Sequence, residues 1–269
     1  MLRNGFVDTP NGQIRYVESG QGHPLILVHA TSDASSMWEP VLPRFGALGY
    51  RAVAIDLPGH GVSYRPATAP GPQGYASAIK AVADGLGIRR AALLGHHFGG
   101  LIAAQAAAEW PAVFDRLAIY GWGRNDAAAR KKRMEAGPRA FARDGEDLHK
   151  HWLHRWNMSG MLLDDASQNR FNEEIAVRAM IAYLQAGPNW YWAYHAMGET
   201  DPLALAARVS CPVLLFAGPR DHYWRESQAA VGDFPDAKFV AMPWVGPDAA
   251  DEEPGAFCAV VHDFLSARR

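Results

Sequence analysis

The stretch Gly95-His96-His97-Phe98-Gly99-Gly100 joins a short apolar run to a helical pattern. The apolar run, Ala91–Leu94, is typical of a buried strand, and Leu101–Trp110 has the pattern of a helix. Glycines on either side of the turn let a strand and a helix approach closely without a side-chain clash. We therefore expect a tight turn between strand and helix with His97 at its centre.

Similar apolar runs recur along the chain and alternate with helical patterns. Strands that are apolar on both faces indicate a mostly parallel sheet covered by helices on both sides. Two alternating segments around Asn11-Gly12 predict an antiparallel hairpin at the start of this sheet. The fold class predicted is therefore α/β. The predicted strands are Phe6–Asp8, Ile14–Val17, Pro24–Val28, Val53–Ile55, Ala91–Leu94, Leu117–Tyr120, Val213–Phe216 and Phe239–Met242, and the predicted helices are Met37–Leu48, Tyr75–Leu86, Leu101–Trp110, Arg225–Val231 and Pro254–Ala267.

Two more motifs follow predicted strand ends, His29-Ala30-Thr31 and Asp56-Leu57-Pro58-Gly59-His60-Gly61-Val62-Ser63. Together with the turn around His97, they resemble the α/β-hydrolase superfamily, in particular its small bacterial members with a helical cap. The corresponding family patterns are His-Gly, Asp-x-x-Gly-x-Gly-x-Ser and Gly-x-Ser-x-Gly. Three motifs in the right order, each at a strand end, make the resemblance specific. It extends over essentially the whole chain and implies an α/β-hydrolase fold with an inserted helical cap.

The segment from residue 123 to residue 200 has no strand-like apolar run and interrupts the alternation. It is interpreted as the cap, which divides the chain into a first core part (1–122), a helical cap (123–200) and a second core part (201–269). In the family, the last cap helix covers the pocket. The resemblance therefore suggests that Trp192 or His195 faces the ligand.

The catalytic positions depart from the family pattern. His97 occupies the nucleophile position, and Asp221 matches the family's acid after the penultimate strand. Pro247 occupies the slot of the family's catalytic histidine, and no histidine lies between His222 and His262. A serine triad needs a hydroxyl that an imidazole activates. Since both are missing from their usual places, we expect His97 to act as a general base that Asp221 orients.

The resemblance also implies an oxyanion hole and a pocket. The Phe98 amide should lie at a helix N-terminus, where a free N–H and the helix dipole favour an anion. The family's second donor corresponds to Thr31. We expect an apolar, aromatic pocket that accepts a small carbonyl compound such as an ester, lactone, β-diketone or polyketide-like ring. Its candidate lining residues are His29, Ala30, Trp38, Trp122, Trp192, His195 and Trp244.

Three functions agree with these residues. In the first, His97 removes a proton from substrate or water during C–C cleavage, elimination, isomerisation, cyclisation or water-mediated hydrolysis. In the second, His97 is the covalent nucleophile of a hydrolase. In the third, the protein has lost catalysis and binds a ligand or regulates. The glycines, the oxyanion loop and Asp221 favour an enzyme, whereas the two changed triad positions favour the third function.

The amino-acid composition of the chain limits the classes of partner that we expect it to bind. The chain has 269 residues with 26 basic and 28 acidic side chains, so its net charge of -2 recruits neither nucleic acid nor an anionic membrane. Met1–Gly5 carries no apolar run, which predicts a cytoplasmic protein without a signal peptide. His149, His151 and His154 are interpreted as a solvated surface, and no metal or cofactor is expected. The sequence leaves the oligomeric state open.

Overall fold

The computed structural model describes residues 1–135, 144–150, 152–153 and 173–267. Its described strands form one sheet in the order β1-β2-β4-β3-β5-β6-β7-β8. The first two strands are an antiparallel hairpin that also joins β4 antiparallel, and every other neighbouring pair is parallel. The strands are β1 Arg3–Thr9, β2 Gly12–Ser19, β3 His23–Val28, β4 Tyr50–Ile55, β5 Ala91–His96, β6 Phe114–Tyr120, β7 Val213–Ala217 and β8 Ala237–Ala241.

Helices cover both faces of the sheet. They are α1 Leu42–Ala47, α2 Gly71–Gly85, α3 Phe98–Glu109, α4 Ala127–Met134, α5 Glu173–Ala186, α6 Trp192–Glu199, α7 Pro202–Ala206, α8 Trp224–Ala229, α9 Ala249–Glu252 and α10 Pro254–Ser266. Buried side chains of α2 and α3 belong to the core on one face, and those of α1 and α10 belong to the core on the other. None of the described helices combines the length and the apolar character needed to cross a membrane.

The prediction that the apolar runs are buried strands is confirmed, because each central strand contributes side chains to both cores. In β3, Ile26 and Val28 belong to the core that contains α2 and α3, whereas Leu25 and Leu27 belong to the other core. All four side chains have no exposed surface. Alternate residues of a strand point to opposite faces, so an apolar run without alternation fits a sheet that is covered twice.

Two of the predicted helices, both close to prolines, have different bounds in the structure. The pattern over Met37–Leu48 predicts one helix, but the structure has a 3-10 helix at Ser35–Trp38 and then the short α1. Pro40 and Pro43 have no N–H for a helical hydrogen bond, which explains the interruption. Conversely, α2 begins at Gly71, four residues before the predicted start. Pro72 is tolerated there, since first-turn N–H groups have no intrahelical acceptor.

Between β6 and β7 lie α4, α5, α6 and α7, and residues 146–150 are also helical. Of these, α6 packs against both α4 and α2, which joins it to the helical layer of the sheet. A salt bridge of 2.6 Å links Arg178 of α5 to Asp251 of α9. The division into core, cap and core at residues 122 and 200 stays a prediction.

Candidate active site

His97 lies at the turn between β5 and α3 with φ 47° and ψ −108°, a conformation that L-residues rarely adopt. Such backbone strain costs on the order of 1–3 kcal/mol and persists only where the surroundings enforce it. Close packing does so here: a Cβ atom at Gly99 would lie 2.2 Å from the Val28 carbonyl oxygen. At Gly95, a Cβ atom would lie 2.4 Å from the Cα atom of Gly100. The strand and helix thus meet at a separation that only glycine permits.

The His97 imidazole contacts the carboxylate of Asp221. Its Nε2 lies 2.7 Å from Oδ2, and the other carboxylate oxygen accepts the Tyr223 amide at 2.7 Å. Burial alone would raise the pKa of Asp221, but the charge and hydrogen bond of His97 outweigh it and hold the pKa at about 2. An ionised carboxylate only accepts hydrogen bonds, so we assign the proton of neutral His97 to Nε2 and the lone pair to Nδ1.

Aromatic rings enclose the His97–Asp221 pair. His96 stacks on His97 with a centroid distance of 4.0 Å and on Tyr120 at 5.2 Å. The rings of His222 and Tyr223 meet His97 edge-on, at 4.6 and 5.0 Å. The His97 side chain is consequently only 11% exposed, and the Asp221 side chain is fully buried.

The His96 ring is buried and neutral. Burial, reinforced by His97, holds the pKa of His96 well below its ordinary value, although the charge of Asp221 opposes the shift. Neither ring nitrogen reaches hydrogen-bond geometry with any described residue, including Pro247. Ring stacking and burial therefore hold His96 in place.

His96, His97 and Asp221 are also the described residues whose donor atoms come close enough to suggest a metal site, within 4.8 Å of one another. A metal ion lies in the plane of each imidazole that binds it. The two histidine rings are stacked with planes only 22° apart, so one ion cannot lie in both planes. Binding a metal here would require a ring to rotate and the His97–Asp221 hydrogen bond to break. Two of the three histidines interpreted as a solvated surface, His151 and His154, lie outside the described residues.

Side chains of the other two motifs form hydrogen bonds that connect the loops beside the turn. Asp56 accepts the Ser35 amide at 2.7 Å and the Val62 amide at 3.0 Å. His29 Nε2 accepts the Leu57 amide at 3.0 Å, and its Nδ1 donates to the Ala30 carbonyl at 2.8 Å. Burial lowers the pKa of His29, which keeps the ring neutral for both roles. These contacts make His29 part of the scaffold.

The two amides predicted to form an oxyanion hole have no hydrogen-bond partner among the described residues. The Phe98 amide opens α3, where the first turn of a helix leaves N–H groups without an intrahelical acceptor. Thr31 is partly exposed and precedes Ser32, which has a φ of 60°. An oxyanion role for these amides stays a prediction.

The predicted pocket residues are not brought together. His29 and Trp38 have no exposed surface and Trp122 is 1% exposed, so these three lie in the interior and line no open pocket. Trp244 is 79% exposed and points to solvent. Trp38 lies in the 3-10 helix after the first motif, whereas Trp122 and Trp244 follow the ends of β6 and β8. Ala30 is buried at 7% exposure, and Trp192 and His195 are partly buried on α6.

A small cavity lies beside His96, and its lining differs from the expected one. Its volume is about 10 Å³, room for roughly one water molecule. Polar groups from three parts of the chain meet there: Asp33 after the first motif, Arg178 of α5, and Asp248 and Asp251 after β8. Burial raises the pKa of Asp251 to about 6, although Arg178 opposes this shift. Charged and apolar side chains therefore line this cavity together, and the expected aromatic pocket stays a prediction. The full lining of the cavity is Asp33, Met37, His96, Ile175, Arg178, Ala179, Pro247, Asp248, Ala250 and Asp251.

Comparison with known proteins identifies the family and the fold. The model of the alpha/beta hydrolase family matches residues 25–260. The chain belongs to this family. The fold alone is supported by the solved enol-lactonase of Burkholderia xenovorans LB400, with a TM-score of 0.81, 17% identity, and coverage of 98% of this chain and 100% of that one.

Two curated relatives of this α/β hydrolase match over shorter stretches. A 2-hydroxy-6-oxononadienedioate/2-hydroxy-6-oxononatrienedioate hydrolase of Pseudomonas sp. is 33% identical over 42% of this chain and 41% of that protein. An (E)-2-((N-methylformamido)methylene)succinate hydrolase of Acinetobacter baylyi is 27% identical over 56% of this chain and 64% of that protein. The chain thus covers less than two thirds of either relative, and these names describe those proteins' substrates.

Proposed function

We propose that this α/β hydrolase is an enzyme that acts on a small carbonyl compound without a serine nucleophile, with His97 as its general base. The observation that carries the proposal is the 2.7 Å contact between His97 Nε2 and the buried, ionised Asp221. This contact fixes the ring and directs the lone pair to Nδ1. Two hydrolases among the matched proteins support an enzymatic function of this fold.

In the proposed step, Nδ1 of His97 takes a proton from water, or from carbon next to a carbonyl group. When water attacks, its oxygen bonds to the carbonyl carbon and the C=O electron pair becomes an oxyanion. Asp221 stabilises the resulting imidazolium, because opposite charges attract strongly at a buried site. The amides of Phe98 and Thr31 are proposed to hold the oxyanion, since neither is occupied by another described group.

We further propose that residues 123–200 cover this site as a cap. Support comes from α5, whose Ile175, Arg178 and Ala179 line the cavity beside His96. The salt bridge between Arg178 and Asp251 holds this helix against the second core part.

The test compares wild type with His97→Ala in the hydrolysis of p-nitrophenyl acetate across pH. Loss of a general base lowers turnover by about 10²–10⁴-fold, and an inflection in the wild-type pH profile should vanish with it. His23→Ala is the matched control, since His23 is 45% exposed at the opposite end of β3. Equal turnover in wild type and His97→Ala contradicts the proposal.

Proton abstraction is measured separately, because the reaction need not be hydrolysis. Deuterium exchange into pentane-2,4-dione, followed by NMR, reports removal of a proton next to a carbonyl. Exchange that depends on His97 supports a base acting on carbon. If wild type accelerates neither reaction, the proposed chemistry is wrong and a ligand-binding function takes its place. An acetyl group trapped on His97 would instead identify a covalent nucleophile.

A further inference from the structure

Gly121 directly follows β6, and because it has no side chain it leaves space for the His97 imidazole. A Cβ atom at this position would lie 2.3 Å from Cδ2 and 2.5 Å from Nε2 of His97. It would also lie 3.2 Å from Oδ1 of Asp221. The edge of the imidazole that bonds to the carboxylate thus occupies the space that any side chain at residue 121 would need.

Neighbouring rings restrict where the His97 imidazole can move. His96 stacks on one face of His97, and Tyr223 meets it edge-on from another side. Both of these neighbours are buried. A side chain at residue 121 would therefore force the ring out of its contact with Asp221.

The backbone around Gly121 is also fixed. Its amide donates to the Phe216 carbonyl at 3.0 Å, which continues the pairing of β6 with β7. The next amide, that of Trp122, donates to the Ser227 hydroxyl at 2.8 Å. These two bonds hold the backbone at Gly121 and at the next residue, so a backbone shift that relieved a clash would strain both of them.

We propose that Gly121 is a positioning residue whose missing side chain admits the elbow imidazole to Asp221. The Asp221 carboxylate thus binds a histidine on the turn after β5. The loop after β8, where the family has its catalytic histidine, carries Pro247 instead. This assignment rests on the proposed function, because it gives Gly121 a role in the same His97–Asp221 pair. It predicts that residues 97 and 121 are energetically coupled.

The test is a double-mutant cycle of Gly121→Ala and His97→Ala, read out by urea unfolding. The φ of +72° and the 3.2 Å approach to Asp221 Oδ1 strain alanine in both backgrounds, whereas the closer clash with the imidazole exists only when His97 is present. We expect Gly121→Ala to change the unfolding equilibrium constant at least about 10-fold more in the His97 background. Gly87→Ala is the matched control, because Gly87 has a φ of +66° with no neighbouring atom within 4 Å.

A spectroscopic measurement separates positioning from stability. In wild type, NMR of ¹⁵N-histidine-labelled protein should show a downfield Nε2 proton for His97, as expected for a hydrogen bond to a carboxylate. This signal should be lost in Gly121→Ala and kept in Gly87→Ala. Equal penalties in both backgrounds, or an unchanged signal in Gly121→Ala, overturns the proposal.

Failure to fold is also informative. If Gly121→Ala does not fold, the proposal requires that His97→Ala/Gly121→Ala folds, and failure of both variants overturns it. None of these measurements uses turnover. A His97→Ala variant that keeps its esterase activity would therefore refute the proposed function and leave the coupling of residues 97 and 121 to be decided by the cycle.

Discussion

His97 combines a strained backbone with a side chain long enough to reach the carboxylate across the site. A serine in the same conformation would end near the turn, whereas the imidazole extends past Gly121 to Asp221. Both oxygens of Asp221 accept N–H groups, one from His97 and one from the Tyr223 backbone. The carboxylate therefore determines which nitrogen of His97 carries the proton.

This arrangement predicts the effect of Asp221→Asn. An asparagine has one accepting oxygen and one NH₂ group, so it must place NH₂ against either Nε2–H or the Tyr223 amide. The imidazole would lose its charged partner or adopt the other tautomer, and turnover in the ester or exchange assay should fall at least about 10²-fold. Asp84→Asn, at a carboxylate that is 63% exposed, is the control. Full activity in Asp221→Asn would show that the carboxylate is dispensable.

At the scale of elements, the close approach of α3 to β3 holds the turn. The atoms nearest to a Cβ at Gly99 belong to backbone, namely the carbonyls of Val28 and His29. Backbone in the middle of a sheet cannot move aside as a flexible side chain does.

Gly99→Ala is therefore expected to destabilise strongly, by more than about 4 kcal/mol, or to prevent folding. Gly255→Ala is a matched control, because both glycines are the second residue of a helix and Gly255 has no atom within 4 Å of an added Cβ. That change should be neutral or slightly stabilising, since alanine favours helix over glycine by about 1 kcal/mol. Thermal unfolding compares the two, and a similar melting temperature for both variants would argue against close packing at the turn.

The contact of α5 with the core includes the ion pair of Arg178 and Asp251, whose side chains are 23% and 10% exposed. Arg178→Met should leave a largely buried carboxylate without its partner and release α5, at a cost of about 2 kcal/mol. Amide hydrogen exchange in α5 should then accelerate about 10-fold or more, with the sheet unaffected. Lys131→Met removes an exposed pair with Glu135 and should change nothing measurable. Unchanged exchange in α5 would mean that other contacts hold the helix.

At the scale of the whole molecule, buried neutral histidines couple stability to pH. Burial lowers the pKa of His29, lowers that of His60 to about 3 and lowers that of His96 strongly. Each ring takes up a proton near pH 6.5 once unfolded but not while folded. Their contribution to stability is therefore present above pH 6.5 and is lost as the pH falls toward the folded pKa values.

We expect the free energy of unfolding to fall by up to about 1.4 kcal/mol per histidine and pH unit below 6.5. Asp251 acts in the opposite direction, because its pKa of about 6 makes the folded state the better proton acceptor between about pH 6 and 4. One carboxyl group offsets only one of the three histidines, so stability still declines. Urea unfolding between pH 7.5 and 5 measures this, and His60→Gln should reduce the slope. A constant free energy over this range would contradict the prediction.

Local patterns predicted most of the fold because strand runs and helical periodicity depend on neighbouring residues. Element ends were less predictable where prolines act: α2 starts at Gly71 and the segment before α1 breaks at Pro40. Pocket residues were the least predictable. Trp122 follows the end of β6 and Trp38 follows the first motif, as expected, yet both are core side chains. Whether a side chain at a strand end meets solvent, ligand or core depends on which other segments pack there.

By itself, the sequence determined the α/β alternation, the turn with His97 at its centre, and the absence of a serine and a loop histidine from their family positions. These features follow from residue identity and spacing along the chain. Only the tertiary structure decided that His97 bonds Asp221 directly, that Gly121 makes the room, and that Asp33, Arg178, Asp248 and Asp251 meet beside His96. These groups come from segments far apart in sequence, and their distances are set by how the strands and helices pack.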